Sequence, residues 1–243
     1  FSMWSSKFLK KPSFYFTTQP ALIECAWILA TIRKLQPDAR IEYIEGNHDK
    51  RPEIALMEHF VDGYGLRSAD NVDGMAVMSI PNLLGLPKLN IKYHGNYPAS
   101  EIWLNDRAVV RHGDTARKGS GATVSAISKE AISTEIIFHI HRMEMVSKTL
   151  HTRNGAEIIN QFCPGCMCRI DGVVPGDERP NWQQGLAVVN FDDGRYINIE
   201  PIPIQDSTAL YRDDVFTGEE YTAQLRKDTM FTDKTGERSE WNF

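Results

Sequence analysis

The chain has 243 residues, of which 42% are apolar and 24% charged, a balance typical of globular proteins. Its net charge of -5 and pI near 5.8 argue against a protein that coats nucleic acid by charge alone. A metal site supplies its own positive charge, so nucleic acid stays open as a substrate. No stretch reaches the roughly 20 apolar residues of a membrane helix, and none resembles a signal peptide. We therefore expect a cytoplasmic protein with no membrane partner.

The first half of the sequence alternates predicted helices and strands. Apolar residues at helical spacing, including Leu22, Leu29 and Ile32, predict a helix over Gln19–Leu35. Further helices are predicted from Pro52 to near Phe60, around Pro81–Leu84 and over Ala122–Ala131. Strands are predicted over Arg40–Ile44, Asn90–Tyr93, Ile102–Leu104, Ala108–Arg111 and Glu135–Phe138.

After residue 140 the pattern changes to hairpins. Met145–Thr152 and Ala156–Phe162 predict one hairpin, turned at Arg153-Asn154-Gly155. Leu186–Phe191 and Tyr196–Ile204 predict a second, turned at Asp192-Asp193-Gly194. The pattern indicates a mixed α/β fold with one domain over residues 1–213. Residues 214–243 are polar and predict a C-terminal arm that is extended or partly disordered.

Three predicted strands are each followed at once by a cluster of polar side chains. The clusters are Asn47-His48-Asp49, His112-Gly113-Asp114 and His139-Ile140-His141. Sites commonly form where strand ends and loops converge. Imidazole nitrogens and an amide oxygen suit divalent Mn, Fe, Zn or Ni. The clusters together therefore predict a metal site.

The spacing within these clusters suggests separate roles. On an extended backbone, His139 and His141 would point to the same side, so two neighbouring metals could each take one of them. Asn47 offers a neutral oxygen ligand. His48 would lie close to the metals without binding them, where a general acid for a leaving group belongs.

These clusters carry a resemblance to a known family. Gly46-Asn47-His48-Asp49 matches the GNH[DE] motif of calcineurin-like metallophosphoesterases. His112, within Arg111-His112-Gly113, resembles the isolated metal histidine of that family, and His139-Ile140-His141 resembles its closing GHxH motif. Further segments resemble phosphoesterases found in bacteriophages: Ser120-Gly121, His141-Arg142, Cys168-Arg169-Ile170-Asp171-Gly172 and Trp182-Gln183-Gln184-Gly185. The resemblance covers roughly residues 19–211.

The resemblance implies a four-layer α/β-sandwich and a centre of two divalent metal ions. Asn47, His112 and His139 would bind one metal and His141 the other, while His48 would protonate the leaving oxygen. Asp49, next to this catalytic histidine, would steady the loop and the helix after it. Arg111, Arg117, Lys118 and Arg142 would bind the substrate. A hydroxide bridging the metals would attack a phosphodiester of nucleic acid or a nucleotide, in a bacterial or phage-infected cell.

Two departures from the family bear on this reading. Phe138 and Ile140 stand where the last motif has Gly and a small hydroxyl residue. The DxH and GDxxD motifs, which bring the remaining metal ligands, are absent; only Asp38 and no histidine precede Asn47. We expect another polypeptide to supply these ligands. The alternative is a catalytically inactive structural or regulatory module that keeps the fold.

Two further features have competing interpretations. Cys163, Cys166 and Cys168 suggest zinc, but structural zinc sites usually take four ligands and no second pair is present, which favours buried or turn cysteines. The basic loop at residues 117–121 could hold a phosphate at a helix start. It could equally be a solvated loop with Ser120 or Thr123 as a helix cap.

Overall fold

The computed structural model describes residues 18–153, 155–168, 170, 180–194 and 196–218. Among these residues, the contacts divide the chain into two compact units, residues 18–97 and residues 98–218. The helices are α1 (Thr18–Leu35), α2 (Asn47–His59), α3 (Ile80–Leu83) and α4 (Ala122–Glu130), with a 3-10 turn at Val61–Gly63. The strands are β1 (Ile41–Ile44), β2 (Ile91–His94), β3 (Glu101–Asn105), β4 (Ala108–Arg111), β5 (Thr134–Ile137), β6 (Met143–Thr152), β7 (Gly155–Pro164), β8 (Gln184–Phe191), β9 (Ile197–Gln205), β10 (Thr208–Tyr211) and β11 (Asp214–Thr217).

The first unit packs α1 against a parallel pair of strands, β1 and β2, and against the segment that carries α3. Arg33 fastens the C-terminal end of α1, because its guanidinium donates to the carbonyl oxygens of Ala39 and Leu89, each at 2.8 Å. The buried core consists of Leu22, Ile80, Leu84, Leu86, Leu89 and Ile91.

One face of α1 stays uncovered in the described part of this unit. Ile32, one of the apolar residues whose spacing predicts this helix, is 43% exposed. Ile28 and Leu35 are exposed as well. Their spacing of i, i+4 and i+7 puts all three on one side of the helix, as an exposed apolar stripe.

The second unit contains a mixed sheet with the strand order β3-β4-β5-β7-β6. β4, β5 and β7 run parallel in its centre, and β3 and β6 pair antiparallel at its edges. α4 packs on this sheet through Val124, which lies in a buried cluster with Ile137, Ile140 and Cys163. Lys148 on β6 donates to the carbonyl oxygens of Ser128, Lys129 and Ala131 at the end of α4.

The remaining strands form an antiparallel sheet with the order β8-β9-β10-β11. The β8–β9 hairpin agrees with the sequence prediction, and so does the β6–β7 hairpin, although Asn154 in its turn lies outside the described residues. The hairpin of β10 and β11 is not predicted from the sequence. Its strands extend the sheet from the edge of β9.

The architecture is mixed α/β, as the sequence predicts, and its sheets are open. The division at residue 213 stays a prediction, and most of the proposed arm, residues 219–243, lies outside the described residues. So do the segment before residue 18 and Arg169, Asp171 and Gly172 of the phage-like motif. Within the described ranges, no helix is long and apolar enough to cross a membrane.

Candidate functional site

The parallel pairing of β4 and β5 brings two of the predicted clusters together. Arg111 pairs with Ile137 at the carboxyl ends of the two strands, so the loops that follow begin at the same sheet edge. The amides of Phe138 and His139 both donate to the carbonyl oxygen of His112, at 3.0 and 2.9 Å. These bonds fix the backbone of one cluster beside that of the other.

The rings of His112 and His139 meet at this edge. Nδ1 of His139 lies 3.4 Å from Nε2 of His112, and the rings are nearly perpendicular. Burial, together with the neighbouring His139 and His141, lowers the pKa of His112 to about 4. Burial also lowers the pKa of His139, against the opposing charge of Asp114. Both rings are therefore neutral at pH 7 and keep a lone pair for a metal or a hydrogen bond.

His141 joins the cluster through a turn, not through an extended strand. β5 ends at Ile137, and the amide of His141 donates to the carbonyl oxygen of Phe138 at 3.3 Å. His141 has φ of 58°, in the left-handed region that non-glycine residues rarely occupy. The prediction that His139 and His141 alternate along an extended backbone is therefore wrong. Ile140 anchors the turn, because its side chain is buried in the core beneath α4.

The ring of His141 contacts Trp182 edge-on, with centroids 4.3 Å apart. Burial lowers the pKa of His141, and His139 nearby lowers it further, which places the three histidines in one electrostatic cluster. The edge-on contact with Trp182 restricts the orientation of the His141 ring. The left-handed backbone at His141 is strained, and strained residues often lie at functional positions.

The facing pair of nitrogens fits two ligands of one metal ion. Ligands roughly 2.0–2.1 Å from a tetrahedral ion lie about 3.3 Å apart, close to the separation between His112 and His139. An N–H···N hydrogen bond would give a similar distance. Among the described residues, no three His, Cys, Asp or Glu side chains are already arranged to hold a metal ion. In the described cluster, His112 and His139 thus stand at the spacing of two ligands of one ion, and His141 lies nearby.

The predicted cation Arg142 is bound within the protein. Its Nε donates to Glu144 at 2.7 Å, and both side chains are largely buried. The same guanidinium donates to the carbonyl oxygen of Arg117 and to the hydroxyl of Thr123. Glu144 also accepts from the amide of Gly121 at 2.8 Å. Arg142 therefore positions the basic loop 117–121 through its own ion pair.

The other predicted cations lie in two settings. Arg111 forms an ion pair with Glu135 on the neighbouring strand β5. Arg117 and Lys118 are exposed in the loop before α4. Thr123 accepts from the amide of Arg117 at 2.9 Å, so it holds this loop from inside α4. Lys118 and the side chain of Arg117 thus have the exposure that a substrate contact requires.

Gln183 connects the parts of this site, although the sequence gives it no role beyond its place in a phage-like motif. Its amide donates to the carbonyl oxygen of His141 at 3.0 Å, and its carbonyl accepts from the amide of Cys166. Its side chain accepts from the amide of Met143 and donates to Asn181, which donates to Ser120. In the sequence, the signal that could have pointed to Gln183 is a polar residue directly after Trp182.

The first unit holds the Gly46–Asp49 cluster at the start of α2. The sequence predicts that Pro52 opens this helix, but α2 begins at Asn47 and Pro52 lies inside it. The helix starts early because Asp49 accepts from the amide of Gly46 at 2.8 Å and so caps it. Tyr43 also donates to Asp49, at 3.0 Å. Burial raises the pKa of Asp49 against both hydrogen bonds, and its place at the cap gives it a positioning role.

His48 has a defined tautomer at this helix start. Nη1 of Arg51 lies 3.3 Å from Nδ1 of His48, and arginine can only donate. Nδ1 therefore accepts, and Nε2 carries the proton of the neutral ring. Glu45, just before the cluster, is buried and accepts from the hydroxyl of Tyr93 and the amide of Tyr97. These bonds hold the strand that leads into Asn47 and His48.

A search of protein-family models, of curated proteins and of solved structures found no match for this chain.

An open cleft of about 1100 Å³ lies in the first unit, between α1 and residues 67–88. None of the residues predicted to carry chemistry lines this cleft. The candidate site therefore lies at the ends of the strands and not in this cleft.

Proposed function

We propose that the chain hydrolyses phosphate esters with the help of divalent metal ions, within a four-layer α/β-sandwich. Phosphodiesters of nucleic acid or nucleotides are the proposed substrates. The observation that carries the proposal is the facing pair His112 and His139, whose ring nitrogens stand 3.4 Å apart at a shared sheet edge. Neutral imidazoles at this spacing are suited to hold a cation.

Each residue has a separate task in this proposal. His112 and His139, with the amide oxygen of Asn47, would bind one ion, and His141 would bind the other. Bound divalent ions would supply a nucleophile at neutral pH and offset the charge of the phosphate. His48 would give the proton on its Nε2 to the departing oxygen. Arg117 and Lys118 would contact the phosphate from the exposed loop.

The role of His48 can be separated from metal binding. His48→Ala should keep bound metal and lower turnover of a diester with a poor leaving group by roughly 10²–10⁴-fold, because a proton donor is lost. His59→Ala is a matched control, since His59 lies on the same helix and is exposed. Hydrolysis of an alkyl phosphodiester by the chain together with the polypeptide that completes its site, with added Mn²⁺ and measured beside metal content, tests the assignment. Loss of metal without a separate rate effect would show that His48 is a ligand instead.

We also propose that a second polypeptide completes the centre with two aspartates and a histidine. The apolar stripe of Ile28, Ile32 and Leu35 supports this, because such a stripe favours burial against a partner. In the described part of the chain, β1 and β2 form a sheet of two strands, which could accept another at its edge. The isolated chain should then be inactive. A monodisperse 27.6 kDa monomer with full phosphodiesterase activity would contradict the proposal.

Activity assays also decide between the enzyme and the inactive module. If the chain and its partner together hydrolyse no phosphodiester or phosphomonoester with any of Mn²⁺, Fe²⁺, Zn²⁺ or Ni²⁺, the catalytic proposal fails. The fold would then serve a structural or regulatory role.

A further inference from the structure

Two cysteines lie in a bend that is fastened to the start of β8. Cys166 forms a bridge with Gln184: its amide donates to the carbonyl oxygen of Gln183 at 2.9 Å, and its carbonyl accepts from Gly185 at 3.0 Å. The side chain of Gln184 donates to the carbonyl oxygen of Cys168 at 2.8 Å. The backbone around both thiols is therefore held in place.

The bend brings the two thiols into contact. In an extended strand, residues i and i+2 share a face but lie roughly 6–7 Å apart, too far for the Cβ separation of a disulfide. The chain bends at Met167 and Cys168, and the thiol of Cys166 reaches hydrogen-bond contact with the sulfur of Cys168. Cys168 is exposed and Cys166 is half-buried. An accessible thiol thus lies beside a partner that can resolve an adduct.

We propose that Cys166 and Cys168 form a reversible redox pair, in which Cys168 attacks a small-molecule disulfide and closure of the bridge alters the surroundings of His141. In the first step the Cys168 thiolate attacks one sulfur of the disulfide, forms a mixed disulfide and releases one thiolate. In the second step Cys166 loses its proton to solvent and attacks the sulfur of Cys168. A second thiolate leaves, and the protein has lost two electrons to the small disulfide and two protons to solvent.

The four thiols differ strongly in expected reactivity. The hydrogen bond from Cys166 lowers the pKa of Cys168 to about 7, whereas burial raises those of Cys25 and Cys163 to about 11. At pH 7 a larger fraction of Cys168 than of Cys25 is therefore thiolate. The lower nucleophilicity of a less basic thiolate removes part of this advantage. Because Cys163 is buried, a small-molecule disulfide also reaches its thiol less easily than it reaches that of Cys168.

The consequence for His141 follows from Gln183. The thiol of Cys166 lies 3.5 Å from the carbonyl oxygen of Gln183, whose amide in turn donates to the carbonyl oxygen of His141. Closing the disulfide pulls this sulfur away from the carbonyl oxygen of Gln183 and toward Cys168. The contact between His141 and Trp182, next to Gln183 in sequence, should therefore change when the bridge closes.

Reduced protein is treated with oxidised glutathione at pH 7 and followed by intact mass and peptide mapping. We expect loss of two hydrogens per chain and a bridge between Cys166 and Cys168, reversed by dithiothreitol. Cys166→Ser should stop at one glutathione on Cys168, Cys168→Ser should form neither product, and Cys25→Ser should behave as the unaltered chain. A bridge through Cys163, or reaction of Cys168 no faster than that of Cys25, would overturn the pair.

The link to His141 has its own readout, which does not depend on any enzymatic activity. The indole N–H signal of Trp182, assigned by its disappearance in Trp182→Phe, should shift on oxidation and return on reduction. In Cys168→Ser the same treatment should leave it unmoved. An indole signal that stays in place while the bridge forms would overturn the coupling to His141.

Discussion

The ion pair beneath the basic loop gives the sharpest test of the second unit. Glu144 is 9% exposed and accepts two hydrogen bonds, from Arg142 at 2.7 Å and from the amide of Gly121 at 2.8 Å. Glu144→Ala removes the carboxylate and leaves the guanidinium of Arg142 largely buried without its counter-charge. The same change removes the acceptor for the amide of Gly121, next to the start of α4.

The expected cost can be worked from these contacts. Removing one partner of a buried ion pair typically costs about 3–5 kcal/mol, because the remaining charge stays desolvated. Arg142 keeps its hydrogen bonds to Arg117 and Thr123, so we expect the lower end, about 3 kcal/mol. For a unit of this size that corresponds to a fall of about 12 °C in Tm.

Thermal unfolding followed by circular dichroism measures this loss, with Glu101→Ala as control. Glu101 is exposed on β3 of the same sheet and accepts from the indole of Trp103, so its replacement should change stability by less than about 0.5 kcal/mol. Hydrogen exchange should also quicken at the Gly121 amide in Glu144→Ala. Equal stability of the two variants, with unchanged exchange at Gly121, would refute the buried-pair account.

Two further predictions concern the segment between β7 and β8. Gly165→Ala should destabilise the second unit far more than Gly119→Ala: both have positive φ, but a Cβ on Gly165 would meet the backbone carbonyl of Gln183, whereas one on Gly119 meets open space. Urea unfolding compares them, and equal costs would refute the steric argument. Replacing Cys163 by Ala and Cys166 and Cys168 by Ser should leave metal content, measured by atomic emission, unchanged; a loss of one zinc per chain would reverse this expectation.

Strand and hairpin positions could be predicted from the sequence because alternation and turn residues are local signals. The strand Ala108–Arg111 is read directly from such signals. The start of α2 was missed because capping by Asp49, which Tyr43 holds with a hydrogen bond, outweighs the signal of Pro52. The hairpin of β10 and β11 was missed because its exposed strands lack a strong apolar pattern.

The site shows the same division between local and long-range information. His112 and His139 stand at strand ends that the sequence identifies, and the parallel register then brings them together. The turn at His141 depends on the burial of Ile140, a packing effect that local patterns do not carry. The role of Arg142 and Glu144 beneath the basic loop depends on contacts more than 20 residues apart in sequence, between Glu144 and Gly121.

The central claim is that His112 and His139 bind one divalent cation. Titration of the protein with Co²⁺, followed by visible absorption, reports nitrogen ligands directly. We predict saturable binding that is lost or weakened at least roughly tenfold in His112→Gln and in His139→Gln, because each removes one ligand. His151→Gln, which alters an exposed histidine on β6, should bind as the unaltered chain does. Undiminished Co²⁺ binding by both His112→Gln and His139→Gln would contradict the account and show that the facing rings form only a hydrogen bond.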